Sequence, residues 1–385
     1  MSTGRSIWWK RSLLVVASTL SSLLLAEGAL RALNLGDPIL RDVDQVLGWA
    51  PIPGAEGWWT REGRAHVRIT EHGFRGVEVP PGPREGVLRV AFVGDSYTEA
   101  KQVALEDTFF RRAERQLRGC VDRPVEVLAF GVSGFGTAQE RLLIEHRVRR
   151  WQPDVVILAV LTGNDVADNH PALRANDAPA PYYALRDGAL VLDESFRRSA
   201  DYRARADGSV RRWVRRHSRL VRLVSGLGRA RRARAGRGEL GLSDEIYGPP
   251  PDATWRDAWA RTEALLEAIH RDVESWGARF GVVTLSNAPQ VDPDPSVRDR
   301  VPAGLGVADL DYPDRRIAAV GARAGFDVLT LVPLLRAHAE AERVHLHGFP
   351  NTAMGTGHWN ATGHRVAGAH IGEWLCDRFA RRNGS

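Results

Sequence analysis

An α/β fold, a three-layer αβα sandwich on a five-stranded parallel sheet, is what the sequence predicts, and two observations predict it. Five short runs of mainly Val, Ile and Leu, at 87–93, 125–130, 155–161, 281–285 and 327–331, read as strands. Stretches with helical spacing, at 107–117, 137–150, 258–276, 314–324 and 362–379, alternate with them. The run at 155–161 is apolar without a break, as expected of a strand covered on both faces. Alternation of this kind puts helices on both sides of one parallel sheet and gathers the polar strand ends along one edge.

Two smaller segments precede the sheet. Residues 1–36 read as an N-terminal signal anchor: Arg5, Lys10 and Arg11 come before the apolar run 13–26, which continues less cleanly through Ala29 and Leu30. Cations on the N-terminal side keep that end in the cytoplasm. The expected location is therefore the inner membrane, single-pass, with the main domain facing the periplasm. Cleavage after the small residues Ala26 or Gly28 would make the protein secreted. Residues 37–83 are rich in Pro, Gly and Trp and read as a collar of short strands and turns. Its segment 65–69 alternates apolar and polar side chains, and Pro80-Pro81-Gly82-Pro83 closes it. Residues 84–385 form the main domain.

An insertion at 169–251 interrupts that domain after its third strand. Within 210–227, Val210, Trp213, Val214, His217, Leu220, Val221, Val224 and Leu227 lie three and four apart, with Arg on the opposite face. This is an amphipathic helix. Three settings stand for it: an anionic lipid surface beside the anchor, a packing face on the domain with Arg in water, or a lid or acidic-polymer-binding surface.

Charge is concentrated in this insertion. The chain carries a formal +6, yet Arg203 to Arg237 holds 13 Arg against Asp207 alone, which leaves −6 for the remainder. The basic balance therefore belongs to one segment, and a nucleic-acid-binding surface is not expected. Two cysteines, Cys120 and Cys376, exclude a disulfide scaffold and a thiolate zinc site.

The chemistry lies at the strand ends. Gly94-Asp95-Ser96 follows the first strand, where a helix start exposes a hydroxyl beside unpaired backbone N–H groups. Alone, Asp-Ser after a strand is equally an ordinary helix cap. Gly131-Val132-Ser133-Gly134-Phe135-Gly136 follows the second strand and Thr162-Gly163-Asn164-Asp165 the third. Gly357-His358-Trp359-Asn360 stands near the C-terminus, ahead of Gly363-His364.

In this order the four motifs resemble the SGNH, or GDSL, hydrolase superfamily, from about Val87 to Leu375. The His72-Gly73-Phe74-Arg75 run looks like the stretch often found before the catalytic domain of membrane-anchored members. The resemblance implies that Ser96 is a nucleophile, His358 its base, and Gly134 and Asn164 oxyanion donors together with the N–H of Ser96. It also implies a serine esterase acting on acyl esters, acetyl esters foremost, with a carbohydrate as one candidate alcohol, through an acyl-enzyme. Two other readings share the fold: an O-acyltransferase to an exopolysaccharide using the same residues, and a non-catalytic glycan- or membrane-binding module.

One position departs from the pattern. The acid usually found three residues before the histidine is Gly355 here, so the expectation is a Ser96–His358 pair. A third member from a distant loop stays open among Asp309, Asp311 and Asp314. His364 is a rival base that reads better as a packing histidine. His345 and His347 supply two imidazoles without a recognisable third ligand, so neither a metal nor a cofactor is expected. In a flavodoxin-like sheet ordered 2-1-3-4-5 the first and last helices share a face, which leaves a Cys120–Cys376 disulfide open.

Overall fold

The structure, a computed structural model, describes residues 3–33, 36–176, 178–208, 213–214, 217–221, 223 and 242–380. Helix α1 (Thr3–Ala32) opens the chain. Its stretch Trp8–Ala32 is long and apolar enough to cross a membrane, and none of it is buried. Twenty-five residues of helix rise ~38 Å, against ~30 Å for a hydrocarbon core.

Two antiparallel hairpins make the collar: β1 (Arg41–Asp44) with β2 (Gly48–Pro51), and β3 (Glu56–Trp59) with β4 (Ala65–Arg68). Strand β4 buries alternate residues, as its sequence anticipates. The collar does not stand apart from the main domain. Leu47, Trp49 and Phe74 pack into the same apolar cluster as the sheet. Arg75 is buried and donates to the carbonyls of Glu99, Ala100 and Val103.

The main domain continues with β5 (Leu88–Gly94), α2 (Ser96–Glu99), α3 (Phe109–Arg118), β6 (Val125–Gly131), α4 (Thr137–His146), β7 (Val155–Leu161) and α5 (Asp165–Asp168). The insertion adds a hairpin, β8 (Tyr182–Arg186) and β9 (Ala189–Asp193), and α6 (Ala200–Ala206). Then come α7 (Ala253–Glu274), β10 (Arg279–Leu285), α8 (Pro295–Leu305), α9 (Tyr312–Ala324), β11 (Asp327–Thr330), α10 (Val332–Glu342) and α11 (Ala361–Leu375).

All five sheet strands run parallel in the order β6-β5-β7-β10-β11, which is the anticipated 2-1-3-4-5. One face of the sheet packs on α4, α7, α9 and the collar, the other on α3, α10 and α11. Register sets the site: Gly94 pairs with Gly131 on one side and Ala159 on the other. The loops that follow these three strands therefore leave the sheet abreast.

Some elements differ from expectation. The helix expected over 137–150 ends at His146 and gives way to a 3-10 turn at Val148–Trp151. The last helix ends at Leu375 and widens into a π turn at Cys376–Ala380. Helices α8 and α10 and the β8–β9 hairpin are additions. The apolar Val332-Pro333-Leu334-Leu335 continues the run of β11 and conceals a helix start with Pro in its first turn.

Helices α3 and α11 pack closely because Gly368 and Gly372 face α3. A Cβ on Gly368 would lie 2.6 Å from the carbonyl oxygen of Phe109, and one on Gly372 2.5 Å from Gln116 Cβ. Cys120 and Cys376 are disulfide-bonded at the end of this pair, with Cα atoms 6.0 Å apart.

Of the Arg-rich helix 210–227, a part lies outside the described residues. The described part docks on the end of α1. The Glu27 carboxylate accepts from Ser218 Oγ (3.0 Å) and from the N–H groups of Arg219 (2.9 Å) and Leu220 (3.0 Å). Arg31 donates to the carbonyl of His217 at 2.6 Å. Among the described residues of the stripe Trp213 is exposed, while Val214, Leu220 and Val221 are half-buried.

Candidate active site

Ser96 starts α2 directly after β5. Asp95 caps this helix by accepting from the N–H of Tyr97 at 2.9 Å, so the capping reading and the exposed-hydroxyl reading hold for adjacent residues. His358 reaches Ser96 from the far end of the chain, its Nε2 2.8 Å from Ser96 Oγ. The Asp95 carboxylate lies 3.3 Å from the same hydroxyl. A hydroxyl has one proton, and the shorter contact takes it.

The loop carrying His358 is held by a chain of donors with one consistent set of tautomers. A carbonyl only accepts, so His347 Nδ1, 2.7 Å from the carbonyl of Gly357, carries the proton. His347 Nε2 then accepts from Ser286 Oγ at 3.0 Å, and that hydroxyl accepts from Trp359 Nε1 at 2.8 Å. Tyr97 donates its hydroxyl to the Gly357 carbonyl at 3.1 Å and stacks obliquely on His358, ring centroids 4.9 Å apart. Burial pushes His347 down to about 4, which keeps it neutral in this role.

His358 does not stand as an unassisted partner of Ser96. Its Nδ1 lies 2.5 Å from Glu62 Oε2, and its backbone N–H donates to Glu62 Oε1 at 2.7 Å. Burial alone would raise the Glu62 carboxyl; hydrogen bonds and charge from His358 outweigh it and hold it below the usual range. This carboxylate comes from the turn between β3 and β4 of the collar. Asn351 pins the turn by accepting from the N–H of Gly63 (3.0 Å) and donating to the carbonyls of Thr60 and Gly63 (3.0 Å each). Gly63 has φ +65°, and a Cβ there would come 2.3 Å from the carbonyl oxygen of Gln102. Only glycine fits.

The open candidates for a third member lie elsewhere. Asp314 is buried against Thr284 and Gln290, Asp311 pairs with Arg336, and Asp309 pairs with Arg315. Gly355 has φ +79°, and a side chain there would begin 3.1 Å from His345 Nδ1. A carboxylate at 355 would thus start against the wrong histidine. The sequence signal for Glu62 was faint: one acid beside a glycine in a Trp-rich turn, 296 residues before the imidazole it meets.

The remaining site residues anticipated from the sequence are distributed around this line. Asn164 Nδ2 lies 3.4 Å from Asp95 Oδ2, the same oxygen that approaches Ser96 Oγ, so the amide stands beside the hydroxyl. Gly134 has φ +80°. Its carbonyl accepts from Arg174 at 2.6 Å. His364 is buried in packing, its Nδ1 accepting from the N–H of Phe109 at 3.3 Å and its ring stacked on Phe109. His345 faces Asp292, while both nitrogens of His347 are occupied. Among the described residues no cluster of metal-ligating side chains occurs.

Behind Asp95 lies a group of buried acids. Burial, then mutual repulsion, raises Glu140 and Asp165 well above the carboxylate range, and burial pushes Asp168 up to about 7. Asp95 is raised by burial as well. Burial disfavours the charged form of each of these carboxyls.

No protein-family model and no curated protein matches the sequence. Solved structures with a similar layout include an acetylxylan esterase from Geobacillus stearothermophilus, at 11% identity and TM-score 0.41, covering 77% of this chain and 97% of that one. Others are a lipolytic protein of the G-D-S-L family from Desulfitobacterium hafniense (12%, TM-score 0.37, covering 74% and 98%) and a lipase/acylhydrolase from Enterococcus faecalis (12%, TM-score 0.38, covering 77% and 99%). At this distance the chemistry rests on the chain's own atoms: a serine, a histidine and a glutamate joined by hydrogen bonds at the carboxyl edge of a parallel sheet.

Proposed function

We propose that the chain is a serine esterase acting on acyl esters, in keeping with the SGNH resemblance of its motifs. The observation that carries this reading is the unbroken line from Ser96 Oγ to His358 Nε2, and from His358 Nδ1 to Glu62 Oε2. A serine hydroxyl is a poor nucleophile without a base, and an imidazole serves best when a carboxylate holds its tautomer. In the proposed mechanism His358 takes the proton as Ser96 attacks the ester carbonyl, and Glu62 stabilises the imidazolium. The N–H groups of Ser96 and Gly134 and the Asn164 amide receive the oxyanion, each donor being worth ~3 kcal/mol of barrier. His358 then returns the proton to the departing alcohol, and water resolves the acyl-enzyme.

Helix α1 supports a membrane-anchored setting, with the body outside the cytoplasm as the charges before the span direct. The docking of 217–221 on its end supports a place for the Arg-rich helix at the lipid surface.

The test is hydrolysis of an aryl acetate together with labelling by a fluorophosphonate. Wild type should turn over and label at Ser96, and Ser96→Ala should do neither. Turnover by Ser96→Ala at the wild-type rate would sink the reading. Product analysis with and without a glycan acceptor separates hydrolysis from transfer, and a panel of acyl groups tests the preference for acetyl.

A further inference from the structure

In the loop after β6, every polar group of Ser133 and Gly134 but one has a partner. The N–H of Ser133 donates to Glu99 Oε2 at 2.8 Å, and the Ser133 hydroxyl meets the same carboxylate and receives Lys101 Nζ at 2.7 Å. Its carbonyl accepts twice, from an Arg41 guanidinium nitrogen at 2.6 Å and from Trp49 Nε1 at 3.3 Å. Arg174 holds the next carbonyl, that of Gly134. Among the described residues the N–H of Gly134 finds no acceptor.

The Ser133 carbonyl and the Gly134 N–H belong to one peptide unit. Among the described residues no peptide bond is cis, and a trans unit directs its N–H opposite to its C=O. Whatever fixes the carbonyl therefore aims the N–H. Arg41 comes from β1 and Trp49 from β2, and the indole also packs edge-on against Phe135 of the loop, centroids 5.5 Å apart. We propose that Arg41 and Trp49 of the collar are positioning residues for the oxyanion: they clamp and polarise the Ser133–Gly134 peptide so that its N–H is presented to the developing negative charge. This rests on the esterase reading and on Gly134 as a donor. A charged donor on a peptide oxygen makes a strong hydrogen bond, and bonds in series polarise one another. A donor fixed beforehand needs no reorganisation when charge appears. Among the described residues Arg41 forms no ion pair, so the carbonyl and the Trp49 ring, 5.7 Å below the guanidinium, are its partners.

The experiment compares full-length wild type, Arg41→Met, Arg41→Lys and Trp49→Phe on an aryl acetate, reading kcat, KM, the pH–rate profile and the rate of fluorophosphonate inactivation. Arg41→Met should lower kcat and the inactivation rate roughly 10- to 100-fold, less than the ~10²- to 10³-fold for loss of an oxyanion donor itself, because the N–H remains. KM should stay within about threefold and the acidic limb of the profile should not move, because the base is untouched. Arg41→Lys should recover several-fold of the loss. Trp49→Phe keeps the ring and loses the donor, and should fall in the same sense; it decides the matter if Arg41→Met does not fold. Unchanged kcat in both overturns the proposal. So does a change confined to KM, which would make Arg41 a substrate contact, or a displaced pH limb, which would place its action on His358. A wild type that neither turns over nor labels overturns the esterase reading itself, and this inference with it.

Discussion

Glu62 illustrates how a single side chain was hidden from the sequence and plain in the fold. Ser96, Gly134, Asn164 and His358 sit in short motifs at strand ends, where local order is enough to mark them. A carboxylate that meets its histidine across 296 residues leaves no spacing to read. Glu62→Gln keeps the shape of the side chain but offers an amide where Nδ1–H needs an anion. The expected result is a loss of about 10²- to 10⁴-fold in kcat with KM near wild type, measured on an aryl acetate; a loss under about tenfold would remove Glu62 from the line. Buried titrating groups set a second prediction. Thr284 and Gln290 donate to Asp314 at 2.5 and 2.9 Å, and burial pushes its carboxyl up to about 7. An unfolded aspartate titrates near ~3.9. The native state thus holds a proton through that interval, so the contribution is full below pH ~4 and is lost as pH rises through about 7. Denaturant midpoints should fall between pH 5 and 8 in wild type and fall less in Asp314→Asn. Equal slopes would refute it. His347, held at about 4, acts in the opposite sense: its contribution is full above ~6.5 and is lost as the medium is acidified toward its folded value.

The elements that were legible are those whose burial repeats along the chain. Strands β5, β6 and β7 lie under helices on both sides; β7 is an unbroken run of Val, Ile, Leu and Ala, β5 and β6 are mainly apolar, and the positions of all three agree with expectation to within a residue or two. Helix α10 was not legible, because its first turn prolongs the apolar run before it. The β8–β9 hairpin lay in an insertion read only for its arginines. The α3–α11 pair carries the prediction at this scale. A methyl group on Gly368 meets the Phe109 carbonyl at 2.6 Å and Arg112 Cβ at 2.5 Å, so the helices must separate. Gly368→Ala should cost ~1–3 kcal/mol by overpacking, in spite of alanine's better helix propensity. Replacing Cys120 and Cys376 by Ser opens a link across 256 residues, and ~2–5 kcal/mol is expected to be lost. Thermal unfolding of both variants beside wild type checks them; an unchanged midpoint in either defeats its prediction.

At the scale of the whole molecule, α1 meets the body near Glu27, and no residue of the span is buried. Removal of residues 1–33 should therefore yield a protein that stays in solution without detergent and keeps kcat/KM within about twofold, since Glu27 and Arg31 stand outside the proposed machinery. A large drop in kcat/KM would tie α1 to the site. The collar is another matter. It shares the apolar core, supplies Glu62, and holds the Ser133 carbonyl, so residues 37–83 complete the site that the sheet only begins.

The order of these pieces along the chain has a consequence in time. A polypeptide is made from its N-terminus at ~5–20 residues per second. Glu62 therefore emerges some 296 residues ahead of His358, which is ~15–60 s at that pace. Once Ser96 has emerged, its hydroxyl waits a further 262 residues for His358. On the proposed mechanism a growing chain is chemically silent toward acyl esters until its last few dozen residues arrive, and a chain cut short anywhere before His358 stays silent.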